Sequence, residues 1–376
     1  MHPDEVVLSA AVMTHPARLG SAQQLCDTTP DLGLRMAVDP CPDGIPTAWR
    51  AARIAWSAVA DQATHHLVVQ DDVVLAPGIT DWIRAAVAAR PDVALCLFTE
   101  WGSRTSHAVR VAALCGDDWA PVVDDYIPCV GLVLPAAAAR GFDSWADRHT
   151  TESDPDDVVL LDYLAALEMP AVVPVRGPVE HDAGPSLVGN STMGLRRSVC
   201  FGGAASSAAT GALLPSLGAV PYYDWWEQQA WLFVRDDTLP DGWRQVAARQ
   251  ALAEHGLDPT AVLALLGPAL DGAPGRDVLL DVVSRIVLDE VFLTAYLIGL
   301  VSRTQVAVPQ LTRGPVVERA LGTLPEGALR RIIPTGRLAE VSALLAPVVR
   351  AGVELGFQGA PVHGAARRAS ALVGAR

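Results

Sequence analysis

Through its first two hundred residues the chain alternates short apolar runs with amphipathic stretches. Residues 6–12 are apolar and end at Met13-Thr14-His15-Pro16, the pattern of a buried strand closed by turn formers. Residues 17–25, which include Arg18, have a helical pattern, and 34–38 predict a second strand closed by Asp39-Pro40. Pro46 suits the first turn of a helix, in which Trp49, Ala52, Trp56, Val59, Ala60 and Ala63 form one apolar stripe fit to pack on a sheet. The run His66–Leu75 predicts a third strand. A helix over 79–89 and a strand over 93–98 come next. Strands and helices in alternation predict the α/β class, a mostly parallel sheet flanked by helices.

The pattern then loosens. Residues 100–107 read as a polar loop, 109–114 as a strand, 116–125 as another loop, and 130–134 as a strand running into a helix over 136–142. The acidic stretch 151–157 precedes an apolar helical run over 158–167, so Asp156 and Asp157 suit a helix start, where the dipole favours negative charge. Residues 172–173 make a short strand, and Val179-Glu180-His181-Asp182 leads into Gly184-Pro185-Ser186-Leu187. The small-residue run 202–211 reads as a flexible connector within a linker spanning 202–218. Beyond it Tyr222, Tyr223, Trp225 and Trp226 cluster. Such groups stack on sugars in some settings, but core filling or domain docking is the expected role. From Trp243 onward the pattern is helical, over 246–255, 259–266, 278–301, 316–321 and 338–355. The expected organisation is a sheet domain over 1–201, the linker, an all-α domain over 219–357, and a frayed tail over 358–376. The helical half is expected to cover a site, to form a homo-oligomer, or to hold a protein or peptide.

Composition narrows the chemistry. At 376 residues, 51% hydrophobic and 19% charged, the chain has material for two globular cores. A net charge of −14 argues against nucleic-acid and anionic-membrane partners. Every Lys-or-Arg position is Arg, which removes pyridoxal-phosphate enzymes and P-loop NTPases, since both need a lysine. The same bias suits a GC-rich bacterial source. The six cysteines are scattered without a Cys-x-x-Cys pair, so neither a zinc cluster nor a disulfide framework is expected. Met1-His2-Pro3-Asp4-Glu5 lacks the positive patch of a signal peptide, and the apolar run 291–301 is too short to cross a bilayer. A cytoplasmic, soluble protein with no membrane span is expected.

The candidate chemistry lies in His66-Leu67-Val68-Val69-Gln70-Asp71-Asp72-Val73-Val74-Leu75. Burying unpaired carboxylates is costly, so Asp71 and Asp72 belong at the open rim of the sheet. Ligands of open α/β sheets bind at the carboxyl ends of strands. A hard cation held there by one or two carboxylates, its shell completed by phosphate oxygens, is the usual magnesium arrangement. Two solvated surface aspartates on a turn are the plain alternative.

In order and spacing these pieces resemble a GT-A type glycosyltransferase of the lipopolysaccharide kind. The likeness rests on the first strand with its Arg-bearing helix, the strand ending Gln70-Asp71-Asp72, the segment Val130-Gly131-Leu132-Val133-Leu134-Pro135-Ala136-Ala137, Pro155-Asp156-Asp157-Val158, and Pro178-Val179-Glu180-His181 with a Ser-Leu-Val-Gly-Asn ending. The resemblance implies a Rossmann-like GT-A domain that moves a sugar from a nucleotide-diphosphate donor to the hydroxyl of a saccharide, small molecule or peptide. It implies that Asp72 ligates Mn²⁺ or Mg²⁺, that His181 completes the metal shell, and that Arg18, Asp39 and Asp71 contact the donor. Asp157, beside Asp156, is implied as the general base of an inverting transfer. The adjacent carboxylate raises the pKa of such a base by like-charge repulsion and the helix dipole lowers it. Gln70 stands where the family carries an acidic residue. That departure supports a second reading, a catalytically degenerate transferase fold acting as a binding or scaffold protein through its helical half.

Overall fold

A computed structural model describes residues 1–359 except 183, 185, 186, 188, 203–205, 240, 241 and 307–309. The tail expected to fray therefore lies almost wholly outside the described residues, as do Pro185 and Ser186 of the Gly-Pro-Ser-Leu ending after His181.

The chain forms two compact units, and a cut at residue 201 does not separate them. The first comprises Met1–Glu100, Asp124–Thr192 and Phe201–Ala212. The second takes Trp101–Val123, Met193–Cys200 and the residues from Leu213 onward. Hydrogen bonds account for the interleaving within the second unit. The Trp101 amide donates to the Arg197 carbonyl at 2.9 Å, its indole Nε1 to Leu195 O at 3.1 Å, and Thr323 Oγ1 to Val199 O at 3.0 Å.

Six strands of the first unit belong to a mostly parallel sheet, in the order Arg35–Val38, Leu8–Thr14, His65–Gln70, Gly131–Pro135, Ala94–Cys96, Ala171–Pro174. Five run the same way, and Gly131–Pro135 runs against both of its neighbours. The expected α/β class is thereby observed. His65 to Val69 are all buried, as a strand covered on both faces requires. Helices Trp49–Ser57 and Ala136–His149 pack on each other and against these strands. Edge-to-face contacts of Phe142 with Trp49, Trp56 and Tyr163, at 5.8, 6.1 and 5.4 Å, fill the space between them. The predicted apolar stripe is real at Trp49, Ala52 and Trp56, but the helix stops at Ser57, ahead of Val59.

The run 202–211 is not a free connector where it is described. Ser206–Ala209 is helical, Ala209 is buried, and Arg90 donates to the carbonyls of Ala209 and Gly211. Small residues here let the backbone pack closely rather than leave it loose.

In the second unit, residues 100–114 correct the loop-then-strand expectation. Arg104–Cys115 is one helix, capped by Ser103, whose side chain accepts from the Ser106 amide. Alternation of Val109 and Val111 suggests a strand, but the helix is buried on all sides, so apolar residues fill every face. The C-terminal part is not all-α either. Ala219–Asp224, Gln229–Arg235 and Trp243–Ala247 form an antiparallel three-stranded sheet. The aromatic cluster is the first hairpin, where Asp224 Oδ1 accepts from the amides of Trp226 and Glu227. Helices follow from Ala248, and Arg285–Gln305, buried over most of its length, packs on this sheet and on Thr335–Gln358. Among the described residues no helix is long and apolar enough to cross a membrane.

Those two helices meet backbone to backbone at Gly299 and Gly356, where a Cβ on Gly299 would lie 2.0 Å from Val353 O. Gly299→Ala is therefore expected to lower the unfolding free energy by about 3 kcal/mol, measured by urea denaturation. Gly322→Ala, in a helix with nothing near the new methyl, should be neutral or stabilising by up to ~1 kcal/mol.

Candidate functional site

The parallel register of the first three strands gathers the candidate residues at one edge of the sheet. Thr14 pairs with Val38 and Met13 with Gln70, so Thr14, Asp39 and the Asp71-Asp72 pair all emerge at the carboxyl ends. The antiparallel strand Gly131–Pro135 begins at that edge, where Gln70 N donates to Val130 O at 3.0 Å. His181 arrives on a separate two-stranded ladder. Val73 pairs with His181, and Asp182 N donates to Asp72 O at 2.7 Å. Sequence neighbours of Asp72 thus fix the histidine beside it.

Asp71 is buried, and both of its oxygens are occupied. Oδ2 accepts from Thr14 Oγ1 at 2.7 Å and from the His15 amide at 3.4 Å, and Oδ1 accepts from Arg18 Nη1 at 3.1 Å. The same Arg18 Nη1 donates to Asp72 Oδ2 at 2.7 Å. Burial opposes the charge on Arg18, but its bonds to Asp72 and Asp71 outweigh that and hold its pKa above the usual value. His181 Nε2 lies 3.6 Å from Asp72 Oδ2, and the Asp72 side chain is 16% exposed. Asp72 Oδ1 is buried without a hydrogen-bond partner. Buried acceptors are ordinarily satisfied, so this oxygen has capacity left to bind.

Asp39, the expected donor contact, is held by another residue. Arg50 grips it through two bonds, Nε to Oδ1 at 2.7 Å and Nη2 to Oδ2 at 2.8 Å, and the Cys41 amide adds a third. The Arg50 bonds pull the Asp39 carboxyl below the usual range. Arg50 also reaches the Cys41 carbonyl and Glu152. Asp39 therefore positions Arg50.

Asp156 and Asp157 open the helix Asp156–Ala166, as the sequence predicts. Asp157 Oδ1 accepts from the Val158 amide and Asp157 O from the Ile127 amide. Asp156 is tied to the strand ends through sulfur: Cys129 Sγ lies 3.8 Å from Asp156 Oδ2 and 3.9 Å from Gln70 Nε2. Burial, then the adjacent Asp157, pushes the Asp156 carboxyl up to about 7.

Among the described residues no group of three or more His, Cys, Asp or Glu is placed to hold a metal ion. Two donors are in place, Asp72 with its unsatisfied Oδ1 and His181. A carboxylate suits Mn²⁺ or Mg²⁺ when phosphate oxygens supply the rest of the shell, and the softer Mn²⁺ tolerates an added imidazole better than Mg²⁺ does. The residues fit such a cation as a shared site. Sequence reasoning missed Thr14, Arg50 and Cys129. Thr14 was findable as the last residue of the first strand, but nothing local marks Arg50 or Cys129. Comparison with models of known protein families and with curated proteins finds no match for this chain.

The Asp156 shift predicts a stability signature. A folded-state pKa near 7 against about 4 when unfolded favours the folded state at low pH, and that contribution is lost as pH rises through 7. Melting temperatures of Asp156→Asn relative to the unsubstituted chain should climb between pH 4 and 7 and level off above. A flat difference would mean an ordinary carboxyl.

Proposed function

We propose that the first unit is a GT-A type glycosyltransferase that moves a sugar from a nucleotide-diphosphate donor to an acceptor hydroxyl with inversion. The observation that carries this reading is the convergence of Arg18, Asp71, Asp72 and His181, with Arg50 held by Asp39, at the carboxyl edge of a mostly parallel sheet, and of Asp156 beside Cys129 near that edge. Such edges are where open α/β sheets bind ligands. A divalent cation at Asp72 and His181 would stabilise the charge that develops on the departing diphosphate. The guanidinium of Arg18 supplies further donors for phosphate oxygens, with the fork geometry that suits them. Arg50, oriented by Asp39, faces the nucleoside.

Asp156 takes the acceptor's proton. As the acceptor oxygen bonds to the anomeric carbon, the bond from that carbon to the phosphate oxygen breaks and the nucleoside diphosphate leaves with the electron pair. A base with a pKa near the working pH combines availability with driving force, and Asp156 meets that condition. Asp157 supports it by like-charge repulsion. The described cysteines are all free, which suits a reducing compartment, and the cytoplasm is the proposed location.

A thermal-shift screen with UDP, GDP, dTDP and CMP, each with and without Mn²⁺, tests the donor site. One nucleotide should stabilise the chain by about 2.7 kcal/mol at roughly a hundredfold excess over its dissociation constant, only with metal, and not in Asp72→Asn. No shift with any of them would favour the scaffold reading. Once the donor is known, Asp156→Asn should cut transfer by roughly 10²–10⁴-fold. Asp157→Asn should leave more activity and move the acid limb of the pH–rate profile to lower pH, because it removes the charge that raises Asp156. Equal losses with an unmoved profile would refute the assignment of Asp156 as base.

A further inference from the structure

The Asp71–Asp72 pair is already neutralised in part, and by the chain itself. One nitrogen, Arg18 Nη1, touches Asp71 Oδ1 at 3.1 Å and Asp72 Oδ2 at 2.7 Å. The Arg18 side chain is only 17% exposed, so the contact is not a loose surface pair of small consequence. Two carboxylates thus share one guanidinium nitrogen. Asp72 Oδ1 has no hydrogen-bond partner, while Oδ2 is shared between the guanidinium and the approach to His181 Nε2.

We propose that Arg18 is the resident counter-ion of this pair and that a divalent cation competes with it for Asp72. The two ions have the same target, and like charges cannot both sit against one carboxylate without large repulsion. Loading a cation therefore breaks the Arg18–Asp72 bond and leaves the Arg18–Asp71 bond, which Thr14 and the His15 amide brace from the other side. The freed guanidinium donor then faces the phosphate oxygens that arrive with the cation. Positive charge passes from arginine to metal at the carboxylate, and from solvent to arginine at the phosphate. Without a cation Arg18 bridges the pair, and Asp72 Oδ1 is the carboxylate oxygen left open. This deepens the glycosyltransferase reading and rests on it for the identity of the phosphate ligand, but the exchange at Asp72 is a property of the protein and Mn²⁺ alone.

Titrating the full chain with Mn²⁺, without nucleotide, and following free Mn²⁺ by electron paramagnetic resonance tests the exchange. Arg18→Gln removes the competitor, so it should bind one Mn²⁺ roughly tenfold tighter than the unsubstituted chain, the loss of one charge-assisted hydrogen bond. Arg18→Gln combined with Asp72→Asn should lose that gain. Arg18→Lys keeps a charge but not the fork, and should fall between. If Arg18→Gln fails to fold, the comparison of Arg18→Lys with the unsubstituted chain decides, tighter binding being required. Equal or weaker Mn²⁺ binding in folded Arg18→Gln overturns the proposal, as does a gain that survives Asp72→Asn. The two readings fail separately. Exchange without any nucleotide shift would defeat the glycosyltransferase reading alone, and a nucleotide shift with Arg18-independent Mn²⁺ binding would defeat the exchange alone.

Discussion

The contact between Arg18 and the two adjacent aspartates is the interaction on which the candidate site depends. Adjacent carboxylates at the end of a buried strand repel each other and lose hydration, and the fold has to answer both costs. It answers with a guanidinium bridging Asp71 and Asp72, a threonine hydroxyl and a backbone amide on Asp71, and an imidazole 3.6 Å from Asp72. One oxygen, Asp72 Oδ1, is left unsatisfied. Two strongly held carboxyl groups would make a structural ion pair, whereas here one is held and one half-held.

Sheet topology makes that arrangement possible. Parallel pairing in near-matched register brings the ends of three strands to one line, so residues as distant in sequence as Thr14, Asp39 and Asp71 share an edge. The reversed strand Gly131–Pro135 starts at that edge and brings Cys129 against Gln70 and Asp156. A small antiparallel ladder after the aspartates does the same for His181. Each of these candidate side chains stands at or next to an end of a regular element, where rigid backbone fixes its position.

Much of this was legible because it is written locally. Short apolar runs closed by Asp39-Pro40 or by Gln70-Asp71-Asp72 mark strand ends, and Pro-Asp-Asp ahead of an apolar run marks a helix start. Helix and strand were confused at 104–115, where burial on every face erases the amphipathic period and leaves only the β-branched spacing to read. The three-stranded sheet at 219–247 was hidden for a related reason, since its aromatic hairpin reads equally as core filling. Long-range partners were beyond reach. That Arg50 holds Asp39, that Arg18 bridges both aspartates rather than standing free for a ligand, and that Asp156 is the carboxyl raised by burial follow from tertiary contacts without a local code.

A crystal structure of the chain with Mn²⁺ and the nucleoside diphosphate that stabilises it tests the glycosyltransferase assignment most directly. The expected density has the metal bonded to Asp72 and His181, the diphosphate on the metal and on Arg18, and the nucleoside against Arg50. Nucleotide bound away from this edge, with Arg18 still bridging Asp71 and Asp72, would contradict it.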